Sequence, residues 1–231
     1  MSQDISIIMP VLNEASQISG RLQALQALRA QGAELIVVDG GSIDNTAQLA
    51  SPLADRVLAA QRGRAAQMNA GAAASRGRLL LFLHADTALA TGALQAVLAA
   101  VAAGAHWGRF DVRIDGCHPL LRIVERMMSW RSRLSGIATG DQAIFVRREL
   151  FEIVGGYPDL PLMEDIALSR ILKRRLAPAC LHAQVLTSGR RWEKHGVVRT
   201  IVLMWWLRAA YFLGADAKRL ALRYGYRPHA S

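Results

Sequence analysis

Short runs of consecutive apolar residues recur in the first third of the chain, and each run is followed by polar or glycine residues. The runs at 5–9, 35–38 and 79–83 are too short for a buried helix and are typical of strands covered on both faces. Between the first two runs, apolar residues at steps of three and four predict an amphipathic helix ending near Ala30. An alanine-rich stretch over 65–75 predicts another helix. This alternation predicts an α/β fold with a parallel, doubly wound sheet.

The pattern changes after residue 105. Apolar residues alternate with charged ones over 110–115, which predicts a half-exposed strand of antiparallel type. Apolar residues interleaved with arginines predict a basic amphipathic helix over 120–134, and a long final helix is predicted over 197–223. Because no repeat or low-complexity linker separates the two patterns, we expect one domain over 1–231 with halves at 1–106 and 107–231.

Two predicted strands end in side chains suited to phosphate and metal chemistry. Asp39 precedes two glycines, and His84 and Asp86 follow the central strand. Ligands of open α/β sheets bind beyond the carboxyl ends of the strands, and carboxylate oxygens suit Mg²⁺ or Mn²⁺. Asp86 therefore either holds a cation against a phosphate or simply begins the loop before the next helix. The glycines form neither a dinucleotide fingerprint nor a P-loop.

The charge balance indicates anionic partners in general. The 231 residues include 28 Lys and Arg against 18 Asp and Glu, a net charge of +10, which attracts nucleotides, phospholipid headgroups or nucleic acid. Nucleic acid is disfavoured because the basic residues are dispersed and no recognition motif accompanies them.

Several further features limit the class of protein. Cys117 and Cys180 stand far apart, which excludes a zinc knuckle and a disulfide framework and suits a cytoplasmic protein. Neither a secretory signal nor an uninterrupted apolar span of about 20 residues is evident. The basic helix and the final helix with Trp205 and Trp206 either contact the inner face of a membrane, form a homodimer contact, or pack on the core with one solvated face.

Four motifs in order resemble those of family 2 glycosyltransferases. They are the strand and P-x-x-N-E loop at 5–14, the V-D-G-G-S-x-D-x-T element at 37–46, His84-Ala85-Asp86 in place of the D-x-D motif, and the acidic helix start at 164–165. A fifth segment, 188–192, resembles the Q-x-x-R-W element but has Ser188 where glutamine is usual. The resemblance extends over residues 4–195.

This resemblance implies a glycosyltransferase-A fold: a Rossmann-like, mostly parallel central sheet flanked by helices, with a smaller antiparallel part and a C-terminal helix. It implies a nucleotide-sugar donor, by default a UDP-sugar, a divalent cation (Mn²⁺ or Mg²⁺), and inverting transfer to a hydroxyl acceptor. Residues 1–106 would bind the nucleotide sugar and residues 107–231 the acceptor.

The resemblance also assigns roles on the donor side. Asp86 matches the metal ligand. His84 replaces a carboxylate and is suited to the ribose, a phosphate or the metal, unless it is structural. The other candidates for nucleotide binding are Pro10 and Val11 through their backbone, Glu14 near the ribose, Asp39 at the base, and Ala85. Arg64 either reaches the base or a phosphate, or belongs to a solvated basic loop.

On the acceptor side, Asp165 matches the general base, and Glu164 either orients it or meets the acceptor. Gly140 and Asp141 match the acceptor-side loop. Arg191 and Trp192 match the segment that closes over phosphate and sugar, although packing is an alternative for Trp192.

Two other functions compete with this interpretation. A sugar-1-phosphate nucleotidyltransferase is disfavoured because residues 11–14 are neither glycine-rich nor basic. A non-catalytic nucleotide-sugar-binding or membrane-surface protein is suggested by His84, Ser188 and the basic charge.

Overall fold

The computed structural model describes residues 4–226, apart from the side chain of Arg191. The strands in this part are β1 (Ile5–Val11), β2 (Glu34–Asp39), β3 (Arg56–Ala59), β4 (Leu79–Phe82), β5 (Thr87–Leu89), β6 (Trp107–Ile114), β7 (Ile144–Arg147) and β8 (Ala179–Thr187). The helices are α1 (Ile18–Ala24), α2 (Gln26–Ala30), α3 (Thr46–Ala50), α4 (Arg64–Ala74), α5 (Ala93–Ala102), α6 (Pro119–Ser135), α7 (Arg148–Ile153), α8 (Glu164–Lys173), α9 (Arg190–His195), α10 (Val197–Phe212) and α11 (Ala217–Tyr224). A 3₁₀ turn at Gly140–Gln142 precedes β7.

All these strands form one sheet in the order β3-β2-β1-β4-β7-β6-β8-β5. Strands β1 to β4 pair in parallel. Strand β7 then pairs antiparallel with both β4 and β6, β8 runs parallel to β6, and β5 runs antiparallel to β8. A parallel half and a smaller mixed half therefore share one continuous sheet, and the predicted α/β class is confirmed.

The parallel strands β1, β2 and β4 are buried on both faces, as their apolar runs predicted, whereas the edge strand β3 is partly exposed. Side chains alternate along a strand, so Leu81 packs on one face with α1 and α5, while Ile8 and Phe82 pack on the other with α4 and α7. The Phe82 ring lies 5.2 Å from Phe151 and 4.9 Å from Tyr157, measured between ring centroids. Each such side chain stabilises the fold by about 1.5–3 kcal/mol.

Two predicted helices are divided in the structure. The helix predicted from residue 18 to Ala30 is interrupted at Leu25, which separates α1 from α2. The final helix is divided at Gly214, whose φ of +91° lies in the left-handed region. Asp216 then caps α11 by accepting a hydrogen bond from the Lys218 amide at 3.0 Å.

The break at Gly214 allows α11 to fold back onto the molecule. Leu220 of α11 packs with Ile166 of α8 and Leu207 of α10 in a separate apolar cluster. This contact carries the C-terminal end of the described chain over the carboxyl ends of the parallel strands, a placement that one continuous helix would not allow.

Two strands differ from the expectation. Strand β5 was not predicted, because three residues are too few to show a periodicity. Strand β6 pairs antiparallel with β7 as expected but also parallel with β8, so its polar positions are not simply solvated. Instead Asp111 accepts hydrogen bonds from Arg133 at 2.6 and 2.9 Å and from the buried Arg109.

Side-chain and backbone bonds gather the loops beyond the strand ends. Gln67 of α4 donates from Nε2 to the carbonyls of Val11 (2.9 Å) and Val38 (2.7 Å), joining the ends of β1 and β2. The Ser188 amide donates to the Asp86 carbonyl at 3.1 Å, so the chain after β8 lies beside the chain after β4.

The length and apolar character of a helix decide whether it is able to span a bilayer. Within residues 4–226, no helix is long and apolar enough to cross a membrane.

Candidate active site

A cleft of about 400 Å³, whose lining includes the charged side chains of Glu14, Arg64 and Asp86, lies beyond the carboxyl ends of β1 and β4. It contains all but one of the residues predicted to bind the nucleotide: Pro10, Val11, Glu14, Arg64, His84, Ala85 and Asp86. The location agrees with the general placement of ligands in open α/β sheets. We use the name polar cleft for this cavity below.

Asp39, the remaining predicted nucleotide ligand, does not line the polar cleft. Its carboxylate is 8% exposed and accepts hydrogen bonds from the amides of Gly41 (3.2 Å) and Ser42 (3.0 Å) and from the Ser42 hydroxyl. In the structure it therefore organises the glycine loop after β2. A role toward the base stays a prediction.

Gly140 joins the metal-binding candidates to the base candidate. Its amide donates to Oδ2 of Asp165 at 2.6 Å. On its other side the imidazole of His84 packs so closely that a Cβ at position 140 would overlap the ring. Because Asp86 lies two residues beyond His84, the loop at Gly140 brings both acidic motifs to one place. Residues separated by about eighty positions in the chain thus form one constellation.

A second cavity of about 430 Å³, called the apolar groove below, lies between α6 and α10. It meets the polar cleft at Arg64, Asp86 and Tyr224, which line both cavities. The predicted acceptor-side residues Asp141 and Trp192 line the groove. The two cavities together form a two-part site with Asp86 at the junction.

The carboxyl group of Glu164 is buried beside Asp165 and Arg64. Burial, with the neighbouring Asp165 adding to the effect, raises the pKa of Glu164 from 4.5 to about 7, although Arg64 opposes the shift. The side chain is only 4% exposed. A carboxyl group with this pKa is partly protonated at neutral pH, so it is able to donate as well as accept a hydrogen bond.

Arg64 balances the surrounding acids. Its position inside the cleft disfavours its charge, but Glu164, Asp141 and Asp86 outweigh this and hold the pKa of Arg64 above its ordinary value. The guanidinium is therefore always charged. Such a group at the junction of the two cavities suits a bound phosphate.

The pKa values of His84 and Asp141 are shifted in opposite directions. Burial, assisted by Arg64, lowers the pKa of His84, so the imidazole is neutral at neutral pH. The pKa of Asp141 is raised, first by desolvation where the surrounding protein encloses it and then by Asp86 and Asp165. Asp141 is still accessible from the groove.

Glu14 lies at the rim near a residue of the C-terminal half. Burial raises the pKa of its carboxyl group, although the Arg190 guanidinium, 3.8 Å from its Oε2, opposes the shift. This contact places the start of α9 beside the loop that follows β1. Arg191, the next residue of α9, was predicted to close over phosphate and sugar, and its side chain lies outside the described part.

The sequence gave no indication of several residues that line the polar cleft. Tyr224 and Tyr226 reach it from the C-terminal segment, and the Arg62 guanidinium lies 5.7 Å from the ring centroid of Tyr226. No motif marks these tyrosines, so only the fold-back of α11 reveals them.

Three non-glycine residues with positive φ flank the predicted motifs. They are Asn13 in the first loop (+54°), Ala143 after the Gly140 turn (+45°) and Met163 before Glu164 (+69°). Such conformations cost of order 1–3 kcal/mol each and collect at functional sites. Their position beside three separate motifs supports the assignment of the site.

A divalent cation at this site would need ligands among the nearby acidic and histidine side chains. In the described residues, no three His, Cys, Asp or Glu side chains gather closely enough to hold a metal ion by themselves. Mg²⁺ and Mn²⁺ bound with nucleotides use one or two carboxylates plus phosphate oxygens rather than a complete protein cage. Asp86, open to the cleft and next to the unprotonated His84 ring, fits that type of shared site.

Replacing Glu164 by glutamine is expected to stabilise the protein at about pH 8 but not at about pH 4. Between pH 4.5 and about 7 the folded state binds more protons than the unfolded state, so the free energy of unfolding falls as pH rises through this window. The shift corresponds to about 3 kcal/mol at most. Urea denaturation of both proteins across this range measures the difference.

The exposed acid Glu149 provides the matched control. Glu149→Gln should not reproduce the stabilisation expected for Glu164→Gln at about pH 8. If Glu164→Gln gave a pH-independent difference, the carboxyl group of Glu164 would titrate normally in the folded protein.

Comparisons of the fold give several similar structures. The S. aureus TarS 1–349 structure has a TM-score of 0.64 at 17% identity and covers 82% of this chain and 61% of its own. The Pyrobaculum calidifontis mannosyltransferase PcManGT, in complex with GDP-Man and Mn²⁺, has a TM-score of 0.63 at 20% identity. The match covers 100% of this chain and 66% of the mannosyltransferase chain. These likenesses confirm the predicted glycosyltransferase-A fold class.

The glucosyl-3-phosphoglycerate synthase of Mycobacterium tuberculosis, in complex with Mn²⁺, UDP and its product, has a TM-score of 0.59 at 21% identity and covers 78% of this chain and 70% of its own. The present chain spans about 61% of the length of the TarS chain it matches. No curated protein sequence matches significantly.

The sequence profile described as "Glycosyl transferase family 2" matches residues 6–150, which hold β1 to β7 and the whole His84–Asp86 segment. The match extends over more than half of the chain, and it includes the residues of the polar cleft from Pro10 to Asp86. The protein therefore belongs to glycosyl transferase family 2.

Proposed function

We propose that the protein transfers a sugar from a nucleotide-sugar donor to a hydroxyl acceptor, with inversion at the anomeric carbon. The observation that carries the proposal is the position of Gly140 between the His84 ring and the Asp165 carboxylate. Gly140 thus brings His84, a candidate for contact with the diphosphate, close to Asp165, the candidate base for the acceptor. A transfer reaction needs both at one junction.

The donor would lie in the polar cleft. The nucleoside would contact the ends of β1 at Pro10 and Val11, and its diphosphate would extend toward Asp86 and Arg64. The volume of about 400 Å³ lies in the ordinary range of small-molecule sites. Neighbouring structures with UDP, UDP-GlcNAc and GDP-Man support a nucleotide sugar, with a UDP-sugar as the default donor.

A divalent cation would be held by Asp86, with His84 as a second candidate ligand. When bound, Mn²⁺ or Mg²⁺ would supply positive charge next to the departing diphosphate. The complexes of the mannosyltransferase and the synthase with Mn²⁺ support this cofactor. Arg64 adds a fixed positive charge at the same junction, which would stabilise the leaving group through charge-assisted hydrogen bonds.

Asp165 would act as the general base. The acceptor oxygen forms the new bond to the anomeric carbon, the bond to the diphosphate breaks on the opposite face, and the hydroxyl proton moves to the carboxylate. The Gly140 amide, donating to Oδ2 at 2.6 Å, fixes the orientation of the carboxylate. Glu164 and Asp141 would orient the acceptor.

The first experiment is calorimetric titration with UDP and with GDP, each with Mn²⁺ and with EDTA. We expect one of the two nucleotides to bind, and to bind more tightly with Mn²⁺. Absence of binding by both nucleotides in the presence of Mn²⁺ would overturn the proposed donor class. Thermal denaturation gives an independent readout, since a ligand that binds only the folded state stabilises it by RT ln(1 + [L]/Kd) and so raises the melting temperature.

A further inference from the structure

The apolar groove has an unusual composition for a site that is expected to receive a hydroxyl group. Its walls consist mainly of aliphatic, methionine and tryptophan side chains, including Val124, Met127 and Met128 of α6 and Ile201, Met204 and Trp205 of α10. A purely polar acceptor such as a free sugar would leave these side chains without a complementary surface. The walls therefore indicate an acceptor with an apolar portion.

The groove is open at its outer end. Ile123, Met127 and Trp130 on α6 are 52%, 44% and 65% exposed, and Trp205 on α10 is 58% exposed. Its inner end reaches Asp86 and Asp141. An elongated ligand would therefore place one end at the reacting groups while its other end leaves between the two helices.

Two arginines within the groove are not explained by the reaction. Arg131 and Arg208 both line it, and Nε and Nη2 of Arg131 are buried without a hydrogen-bond partner in the described part of the chain. Burial, with the nearby positive charge of Arg208, lowers the pKa of Arg131 to about 10. The Asp165 carboxylate attracts Arg131 but leaves these two nitrogens without a hydrogen-bond partner among the described residues. Because buried polar groups need partners and two like charges repel in an apolar wall, the pair points to a negatively charged ligand group.

We propose that the apolar groove binds the acceptor, and that the acceptor is an anionic amphiphile. Its apolar chain lies between α6 and α10, its anionic group pairs with Arg131 and Arg208, and its hydroxyl group reaches Asp141 and Asp165. This inference rests on the proposed function, which it extends from a hydroxyl acceptor in general to one chemical class.

The shape of the groove favours this occupant over the alternatives. A concave site of about 430 Å³ encloses a single chain, whereas a membrane surface would contact only its exposed rim. A second copy of the protein would bring another strongly basic surface, since each chain carries a net charge of +10, toward the positive charges of Arg131 and Arg208.

The test uses dodecyl phosphate below its micelle concentration, titrated into protein that is already saturated with Mn²⁺ and with the nucleotide, UDP or GDP, that the titration above identifies. We expect binding at a site that the nucleotide does not block. Inorganic phosphate lacks the chain and dodecyl maltoside lacks the anion, so each should bind at least about tenfold more weakly. Equal binding of the maltoside would overturn the role of the arginines.

Matched variants on α6 locate the site. Met127→Glu, inside the groove, should lower the affinity for dodecyl phosphate at least about tenfold. Leu134→Glu, on the same helix but 68% exposed and outside the groove, should leave this affinity unchanged. Arg131→Gln should lower it to a similar degree, and Arg126→Gln, at an exposed arginine on the same helix, should not. Equal effects of both members of a pair would indicate surface partition and overturn the proposal.

The outcomes separate this inference from the proposed function. If wild-type protein binds UDP or GDP with Mn²⁺ but not dodecyl phosphate, the groove assignment alone is wrong. If neither UDP nor GDP binds in the presence of Mn²⁺, the proposed donor function is wrong and the acceptor role falls with it. If sedimentation shows a dimer that Met127→Glu dissociates, the groove is a contact between copies and the proposal is also overturned.

Discussion

Asp165→Asn is expected to lower the rate of sugar transfer about 10²- to 10⁴-fold while leaving donor binding almost unchanged. Asparagine has nearly the same shape, and its carbonyl oxygen is able to accept the hydrogen bond that the Gly140 amide now donates to Oδ2 at 2.6 Å. It is unable to take a proton from the acceptor. The loss should therefore have the size typical of general-base catalysis.

The measurement is nucleoside diphosphate release from the donor identified by titration, together with the Kd of that nucleotide. Asp159→Asn, at an exposed acid shortly before α8, is the matched control and should retain full activity. If Asp165→Asn transferred sugar at a rate within a few-fold of wild type, Asp165 would not be the general base. The role would then fall to another nearby carboxylate, with Glu164 and Asp141 as the candidates.

Asp86→Asn is expected to remove the effect of the metal ion on nucleotide binding. The wild-type protein should bind the nucleotide more tightly in Mn²⁺ than in EDTA, whereas the variant should bind with the same weak affinity in both. We expect a decrease of about 100-fold in Mn²⁺, because the amide no longer supplies the anionic oxygen that such a cation prefers. Calorimetry under the two conditions gives the comparison directly.

Asp115→Asn, at an exposed acid after β6, controls for the loss of one negative charge from a basic protein. It should keep the full dependence on Mn²⁺. Equal affinity of wild type and Asp86→Asn for the nucleotide in Mn²⁺ would show that Asp86 is not a metal ligand. Transfer activity should fall together with nucleotide affinity in Asp86→Asn, which distinguishes it from Asp165→Asn, where only the rate falls.

The two variants examine opposite sides of one constellation, and the distinction between them is clear because the proposed donor and acceptor positions lie in separate cavities. Asp86 lines both the polar cleft and the apolar groove, whereas Asp165 is connected to them through Gly140. A defect in binding and a defect in rate therefore report different contacts.

Much of the parallel half was predictable from local pattern. A strand covered on both faces has apolar side chains at nearly every position, so β1, β2 and β4 were evident as short apolar runs, although β1 includes the buried Ser6. The basic helix now seen as α6 was evident from its periodicity. The position of Asp86 followed as well, because a residue just after a parallel strand must lie at the edge where ligands bind.

Other features of the chain had no local signal. The break at Gly214 looks like any glycine in a long helical pattern, and β5 is too short to show a period. The ionic partners of Asp111 come from β6 and from α6, so an alternating strand that looked half-solvated is in fact satisfied inside the fold. In each case a distant segment, rather than the local pattern, decides the environment.

The amino-acid sequence by itself determined the order of the strands and helices in the parallel half and the acids that end them, because these depend on backbone periodicity and on residues within a few positions. Only the tertiary structure decided that Gly140 lies between His84 and Asp165, that Tyr224 and Tyr226 reach the polar cleft, and that α6 and α10 enclose an apolar groove. These contacts join segments far apart in the chain. They depend on how buried faces pack against one another, which no short stretch of sequence records.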